Sequence, residues 1–125
     1  AAEAVGLGRV ALQTAARYAG ERIVFDRPIG QNQSIQHPLA QRWIELEAAS
    51  LLTYRAAALY DTGKPCGAEA NAAKYFAGEA GFKACKTAVL THGGMGYAEE
   101  MPVSRYFVDA RVVSIFDGCG GNPCA

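Results

Sequence analysis

A carboxylate, an arginine and a pair of glycines are the candidate chemical groups of this chain, and each lies where a helical pattern ends. Asp117 follows the apolar run 112–116 and precedes Gly118. Apolar neighbours desolvate a carboxylate and make it more basic, which suits a general base that removes a proton from carbon. An ordinary Asp-Gly turn explains the same two residues, and on the sequence alone that reading is favoured.

Arg22 and Phe25 lie near the end of the first helical pattern. Arg22 is a candidate for gripping a phosphate, and Phe25 for packing on a flat ring. The alternative for Arg22 is a capping role, because a cation at a helix C-terminus is favoured by the helix dipole. Gln33 follows a turn and is either a hydrogen-bonding residue of the site or a solvated loop residue.

The third helical pattern ends just before His92, which is followed by Gly93 and Gly94. Glycine permits a positive φ and lets a ligand approach the backbone closely. His92 itself suits a helix C-terminus through the dipole. With His37 it forms no recognisable metal-binding pattern, so no metal site is predicted. The helix end near Arg22 and the helix end before Gly93 together predict a site assembled from helix ends.

Composition argues against several classes of protein. The 125 residues suffice for one domain with a core, and the 12 basic residues balance the 12 acidic ones. This balance argues against a nucleic-acid binder, and no apolar run reaches the ~20 residues of a membrane span. No secretory signal is recognisable, so a cytoplasmic location is expected. The four cysteines lack zinc spacing and are expected to be structural thiols, although a disulfide from the tail stays open: Cys66, Cys85, Cys119, Cys124.

Helical periodicity covers most of the chain. It predicts three long helices, over 2–27, 34–60 and 67–91, and two short ones, over 103–109 and 110–116. Pro28 is expected to end the first helix and Ser34 to cap the second. No segment reads as a pair of strands. The fold class is therefore all-α, an antiparallel four-helix-type bundle of three long helices plus a short C-terminal helical pair.

Two further features concern helix packing. Gly6 and Gly8 either weaken the first helix or let another helix approach closely. In the second helix, Ile44 and Leu51 widen the apolar face, which predicts burial over much of the circumference.

In order along almost the whole chain, the residues resemble the C-terminal helical domain of the acyl-CoA dehydrogenases. The matching stretches are Tyr18-x-x-x-Arg22-x-x-Phe25-x-x-Pro28-Ile29-x-x-x-Gln33, Gln36-His37-Pro38-Leu39-Ala40, Ala56-Ala57-x-x-Tyr60-Asp61-x-Gly63, Ala73-Lys74-x-Phe76-Ala77, His92-Gly93-Gly94-Met95-Gly96-Tyr97, and Asp109-Ala110-Arg111 before Ile115-x-x-Gly118.

This resemblance implies that residues 1–125 are the last domain of a longer enzyme that also has an N-terminal helical domain and a middle β-domain. Members are usually homotetramers, built as dimers of dimers, with FAD held between the C-terminal domain of one subunit and its partner. They remove hydrogens from the α and β carbons of an acyl-CoA thioester and pass the electrons to an electron-transfer flavoprotein. The chain alone is expected to be inactive.

The resemblance also assigns roles to single residues. Arg22 matches the arginine that contacts the FAD phosphates of the neighbouring subunit. Phe25 and Gln33 match further flavin contacts. The remaining matches are the turn near the adenosine half of FAD, the catalytic base, and the glycine after that base: Gly93 and Gly94, Asp117, and Gly118.

Three departures from the family pattern keep alternatives open. Leu90 stands where the family commonly has a glutamine that contacts FAD, Asp117 replaces the usual glutamate, and the segment 119–124 lacks the flavin-contacting pattern. These departures fit a non-catalytic oligomerisation module or a degenerate subunit that pairs with an active partner. A relative that uses reduced flavin with oxygen is a third alternative.

Overall fold

The computed structural model describes residues 1–115, which form four α-helices. The elements in chain order are α1 (Ala2–Glu21), β1 (Ile23–Val24), β2 (Arg27–Pro28), a 3₁₀ turn (Ile29–Gln31), α2 (Gln33–Asp61), α3 (Gly67–His92), a second 3₁₀ turn (Gly93–Tyr97) and α4 (Pro102–Val113). The all-α fold class is confirmed.

Helices that follow one another in the chain pack antiparallel. The guanidinium of Arg9 in α1 lies 2.7 Å from the Glu47 carboxylate in α2, and the Phe82 ring of α3 stacks on Phe107 of α4 with centroids 5.2 Å apart. Consequently α1 and α3 run in the same direction, and their C-terminal ends meet where Tyr18 stacks on His92. The two helix ends singled out in the sequence therefore lie at one end of the bundle.

Small residues allow α1 and α3 to pack closely. A Cβ atom on Gly81 would lie 2.6 Å from the Ala4 carbonyl oxygen, and one on Gly8 would lie 2.7 Å from a Leu46 methyl group and 3.2 Å from Gly81 Cα. Gly8 thus permits close packing. Gly6, in contrast, faces open space, where it contributes only the low helix propensity of glycine.

The first helix is shorter than predicted. It ends at Glu21 instead of residue 27, and Pro28 does not terminate it. The chain turns back as a two-residue hairpin in which Ile23 pairs with Pro28 and Val24 with Arg27, so the expectation of no strand pair was wrong. The β-branched residues of β1 favour the extended conformation, and a backbone hydrogen bond of 2.9 Å from Ile29 to Arg22 closes the loop.

Two other predicted boundaries also differ. The second helix begins at Gln33 with Asn32 at the N-cap, so Ser34 lies in the first turn and is not the cap. Near the C-terminus, α4 continues through Ala110, and the predicted break between two short helices is absent. The pair Arg105–Asp109, with Nε and Oδ2 3.0 Å apart, spans one turn and supports this continuity.

Most of α2 is less buried than predicted. Its buried residues are Leu46, Ala49 and Ser50, whereas Ile44 and Leu51 are 60% and 72% exposed. Together with the exposed side chains of Trp43 and Tyr54, they form an apolar strip, called here the α2 strip. The wide apolar face therefore finds no packing partner within residues 1–115.

The described cysteines behave as structural thiols. Cys85 is fully buried, and this burial, with a smaller effect of the Asp109 charge, raises its pKa to about 12. Cys66 is half-buried, and both thiols are free. Cys119 and Cys124 lie outside the described residues. Within 1–115 there is no group of three or more His, Cys, Asp or Glu side chains arranged to hold a metal ion, and no helix is both long and apolar enough to cross a membrane.

Candidate functional site

An open groove of about 440 Å³ lies where the C-terminal ends of α1 and α3 meet. One wall comes from α1 and the hairpin, and the other from the last turn of α3 and the glycine turn. The lining residues are Tyr18, Arg22, Val24, Ile29, Leu90, Thr91, His92, Gly93, Gly94 and Met95. Three predicted cofactor-binding residues, Arg22, Gly93 and Gly94, therefore border one site.

Arg22 is the C-cap residue of α1. Its backbone N–H donates to the Tyr18 carbonyl at 2.8 Å, and its own carbonyl accepts from Ile29. The residue is exposed, and its guanidinium makes no ion pair with any of residues 1–115. An arginine held at its backbone but unpaired at its charged end is available for an anion.

The glycine turn ends α3 with a backbone that favours glycine. Gly93 has φ 59° and ψ −133°, and its N–H donates to the Leu90 carbonyl. A Cβ atom on Gly93 or Gly94 would meet nothing within 4 Å, so the turn leaves free space beside the groove. Because two helix C-termini converge here, the backbone offers mainly carbonyl acceptors, and Arg22 supplies the positive charge that an anion needs.

Phe25 and Gln33 do not line this groove. Phe25 is 94% exposed at the tip of the hairpin, and Gln33 is the exposed first residue of α2. The hairpin turn is strained, because Phe25 and Asp26 adopt positive φ values of 51° and 63°. Glycine and asparagine are the usual residues of such turns, and a bulky aromatic there carries a conformational cost.

We expect Phe25→Asn to raise the free energy of unfolding of this chain by about 0.5–1 kcal/mol, because asparagine tolerates a positive φ and Phe25 buries almost nothing here. Urea denaturation followed by circular dichroism measures the change. Tyr54→Asn is the matched control, since Tyr54 is 70% exposed in a regular helix and should show no gain. A loss of stability in Phe25→Asn would mean that the turn is not strained.

His92 gives the groove a feature that the sequence patterns did not predict, whereas Leu90 was already noted where the family commonly has a glutamine that contacts FAD. His92 is only 3% exposed, its ring stacks on Tyr18 at 4.2 Å between centroids, and its Nδ1 lies 2.7 Å from the Ala88 carbonyl oxygen. The stack of Tyr18 on His92 can be predicted only once α1 and α3 are known to run in the same direction, because the two residues lie far apart in the sequence. Leu90 is 68% exposed and lines the groove with an apolar side chain.

The proposed base, Asp117, and Gly118 lie outside the described residues. A second groove, of about 660 Å³, lies between α1 and α4. Its apolar lining includes Leu7, Val10 and Val113, with Glu3 and Arg105 among its polar residues. Val113, the last residue of α4, precedes Asp117 by four positions.

Comparison with known proteins agrees with this architecture. Residues 1–121 match the family model described as acyl-CoA dehydrogenase, C-terminal domain. An acyl-CoA dehydrogenase of Bacillus subtilis is 45% identical over 94% of this chain, and a 3-(aryl)acrylate reductase of Clostridium sporogenes is 41% identical over the same share. The structure of butyryl-CoA dehydrogenase from Megasphaera elsdenii superposes with a TM-score of 0.91 at 38% identity, over 94% of this chain and 30% of that one.

This chain spans 31% of the length of each of the two curated relatives named above. The match nevertheless covers nearly all of the chain itself, in sequence and in fold. The helical bundle, its hairpin and its glycine turn thus belong to a protein of the acyl-CoA dehydrogenase family, as the family's C-terminal domain.

Proposed function

We propose that this domain serves a flavin-dependent acyl-CoA dehydrogenase and holds part of FAD at the groove between α1 and α3. The observation that carries the proposal is the guanidinium of Arg22, which pairs with no carboxylate of residues 1–115 and lies beside the open turn at Gly93 and Gly94. FAD combines a diphosphate with flat rings, and it therefore suits a groove with one cation, free backbone space and exposed apolar residues.

Each residue has a role in this arrangement. Arg22 binds the phosphates, and the glycine turn admits the adenosine half. Phe25, on its exposed hairpin, and Gln33 reach flavin bound mainly by the partner subunit, which explains why neither lines the groove of a single chain. The strain at Phe25 is consistent with this role, because strained backbone is often retained for ligand contact.

The reaction removes one hydrogen from each of two adjacent carbons of the acyl-CoA. Asp117 takes the α proton, for which it must be ionised and shielded from water. FAD, when bound, would supply the acceptor for the hydride that leaves the β carbon. The groove between α1 and α4 is lined by Val112 and Val113, the part of the groove nearest in sequence to Asp117, and by charged side chains such as Glu3. Residues 1–115 do not enclose such a site by themselves, so the isolated chain is expected to be inactive.

Self-association belongs to the same proposal. The α2 strip exposes Trp43, Ile44, Leu51 and Tyr54 along one helix. Neighbouring charges are already paired within the chain, as Arg55 is with Glu69 at 3.8 Å, so the strip presents largely uncharged area to a second copy. We propose that this face contributes to a homo-oligomer, a dimer or tetramer, and that the complete enzyme passes its electrons to an electron-transfer flavoprotein.

The test is Arg22→Ala in the full-length enzyme. We expect FAD affinity to fall about thirtyfold, since a charge-assisted hydrogen bond contributes about 2 kcal/mol. Equilibrium dialysis of the apoenzyme against FAD measures the dissociation constant, and unfolding of the apoprotein should be unchanged. Arg17→Ala, an exposed arginine of α1 outside the groove, is the control. Equal FAD affinity in the two variants would contradict the assignment.

A second candidate is a non-catalytic assembly module. The observations that favour it are the α2 strip and the exposed Leu90, which offers no hydrogen bond to a cofactor. The visible absorption spectrum of the purified full-length protein separates the candidates. A flavin band with turnover of any acyl-CoA supports the dehydrogenase, whereas a colourless oligomer that takes up no added FAD supports the module.

A further inference from the structure

Gly6 lies inside α1 at a position where no contact within residues 1–115 requires a glycine. A Cβ atom on Gly6 would meet nothing within 4 Å, whereas a Cβ atom on Gly8 or Gly81 would collide with neighbouring atoms. A glycine inside a helix lowers the stability of that helix relative to alanine. A glycine also lets another backbone approach closely. The contact that would explain Gly6 is therefore expected to come from outside these residues.

Gly6 lies in the groove of about 660 Å³ between α1 and α4. Residues at intervals of three or four line both sides of this groove: Glu3, Leu7 and Val10 on α1, and Arg105, Asp109 and Val112 on α4. Two rows of side chains at this spacing leave holes into which the side chains of a third helix fit. Each row extends about 10 Å along its helix, so the groove accommodates about two turns of such a helix.

One charge in this groove has no partner among residues 1–115. Arg105 is paired with Asp109 at 2.9 Å, whereas the Glu3 carboxylate makes no ion pair with any of these residues. A helix in the groove is therefore expected to carry a lysine or arginine near Glu3. A twofold contact between the grooves of two copies does not meet this need, because both sides are then the same surface and its arginine is already paired.

We propose that the groove between α1 and α4 holds an α-helix from the part of the full-length polypeptide outside residues 1–125. This helix packs apolar side chains against Leu7 and Val10, brings its backbone close to Gly6, and places a lysine or arginine beside Glu3. This chain spans 31% of the length of the two curated relatives named above. A tethered segment of the same polypeptide has a high effective concentration at the groove. The inference does not depend on whether the other groove binds FAD.

A photo-cross-linking residue at Val10 of the full-length protein identifies what occupies the groove. Val10 is 44% exposed and lines the groove, so p-benzoylphenylalanine can replace it without entering the core. We expect mass spectrometry to show a cross-link within one polypeptide, to a segment outside residues 1–125. The same substitution at Gln13, an exposed residue of α1 outside the groove, should give no such link. From Val10, a link to a second copy, a link to residues 116–125, or no link at all would overturn the proposal.

Gly6→Leu in the full-length protein tests the close approach. We expect this variant to melt about 3 °C lower than the wild type, because the added side chain collides with the docked helix. Gly20→Leu is the matched control, since Gly20 also lies in α1 with open space around its Cβ position but does not line the groove. Its melting temperature should not fall. A melting temperature of Gly6→Leu equal to or above that of Gly20→Leu would contradict the proposal. If Gly6→Leu does not fold, the cross-link from Val10 decides, because that protein retains Gly6.

Discussion

Asp117→Asn in the full-length enzyme is expected to lower kcat at least about a hundredfold, with little change in the amount of bound flavin. A positioned general base typically contributes a factor of about 10²–10⁴, and asparagine cannot take the α proton. Anaerobic mixing with a panel of acyl-CoA thioesters, followed by bleaching of the flavin absorbance, measures the step directly. The flavin content of each preparation is read from the same spectra.

Two variants make this test specific. Asp117→Glu should retain activity, because it restores the residue that the family usually has and keeps the carboxylate. Asp109→Asn, which removes a carboxylate of α4 paired with Arg105, should leave the chemical step nearly unchanged. Retention of more than a tenth of the wild-type rate in Asp117→Asn would place the base elsewhere in the protein.

The second large effect is expected at the contact between α1 and α3. Gly81→Ala should destabilise this chain by about 2 kcal/mol, because the added Cβ would lie 2.6 Å from the Ala4 carbonyl oxygen and the helices must separate. The clash is with backbone, which no change of rotamer relieves. Urea denaturation of the wild type and the variant measures the difference in the free energy of unfolding, provided that this free energy depends equally steeply on urea concentration in both proteins.

Gly6→Ala provides the opposite expectation in the same bundle. Its Cβ meets nothing within 4 Å, so alanine should stabilise α1 by up to about 1 kcal/mol through helix propensity. Changes of opposite sign in the free energy of unfolding would therefore distinguish the effect of close helix packing from the effect of helix propensity. Should both variants gain stability, the close approach of α1 to α3 would be incorrect.

Sequence periodicity was sufficient for the helices but not for the hairpin between α1 and α2. Long apolar repeats predict long helices, and the all-α class was confirmed. The hairpin has only two residues in each strand, too few for an alternating pattern. Its position depends on tertiary packing, because Gly30, just beyond it, lies against the Ala19 carbonyl, where a Cβ would be 3.0 Å from the oxygen. No local pattern contains that contact.

In the candidate site, too, some features follow from local sequence patterns and others only from tertiary packing. Arg22 and the glycines at 93 and 94 were predicted from helix ends, and the parallel course of α1 and α3 brings them around one groove. Phe25 and Gln33 were candidates from their positions in the sequence and from the family resemblance, and the described residues of a single chain do not bring them to that groove. The sequence placed His92 at a helix C-terminus, but its burial could not be predicted, because Tyr18, on which its ring stacks, is 74 positions away in sequence.

The glycine contact between α1 and α3 also affects the width of the groove where the C-terminal ends of these helices meet. Gly81 lies eleven residues before His92, which is about 16 Å along the helix axis. Because Arg22 follows the C-terminal end of α1 and the glycine turn follows that of α3, a wider spacing of the two helices at Gly8 and Gly81 is expected to move Arg22 away from the turn. A methyl group added at Gly81 is therefore expected to widen the groove without contacting anything bound in it. If the groove binds FAD as proposed, the affinity for FAD depends on residues that lie three helical turns away from the groove.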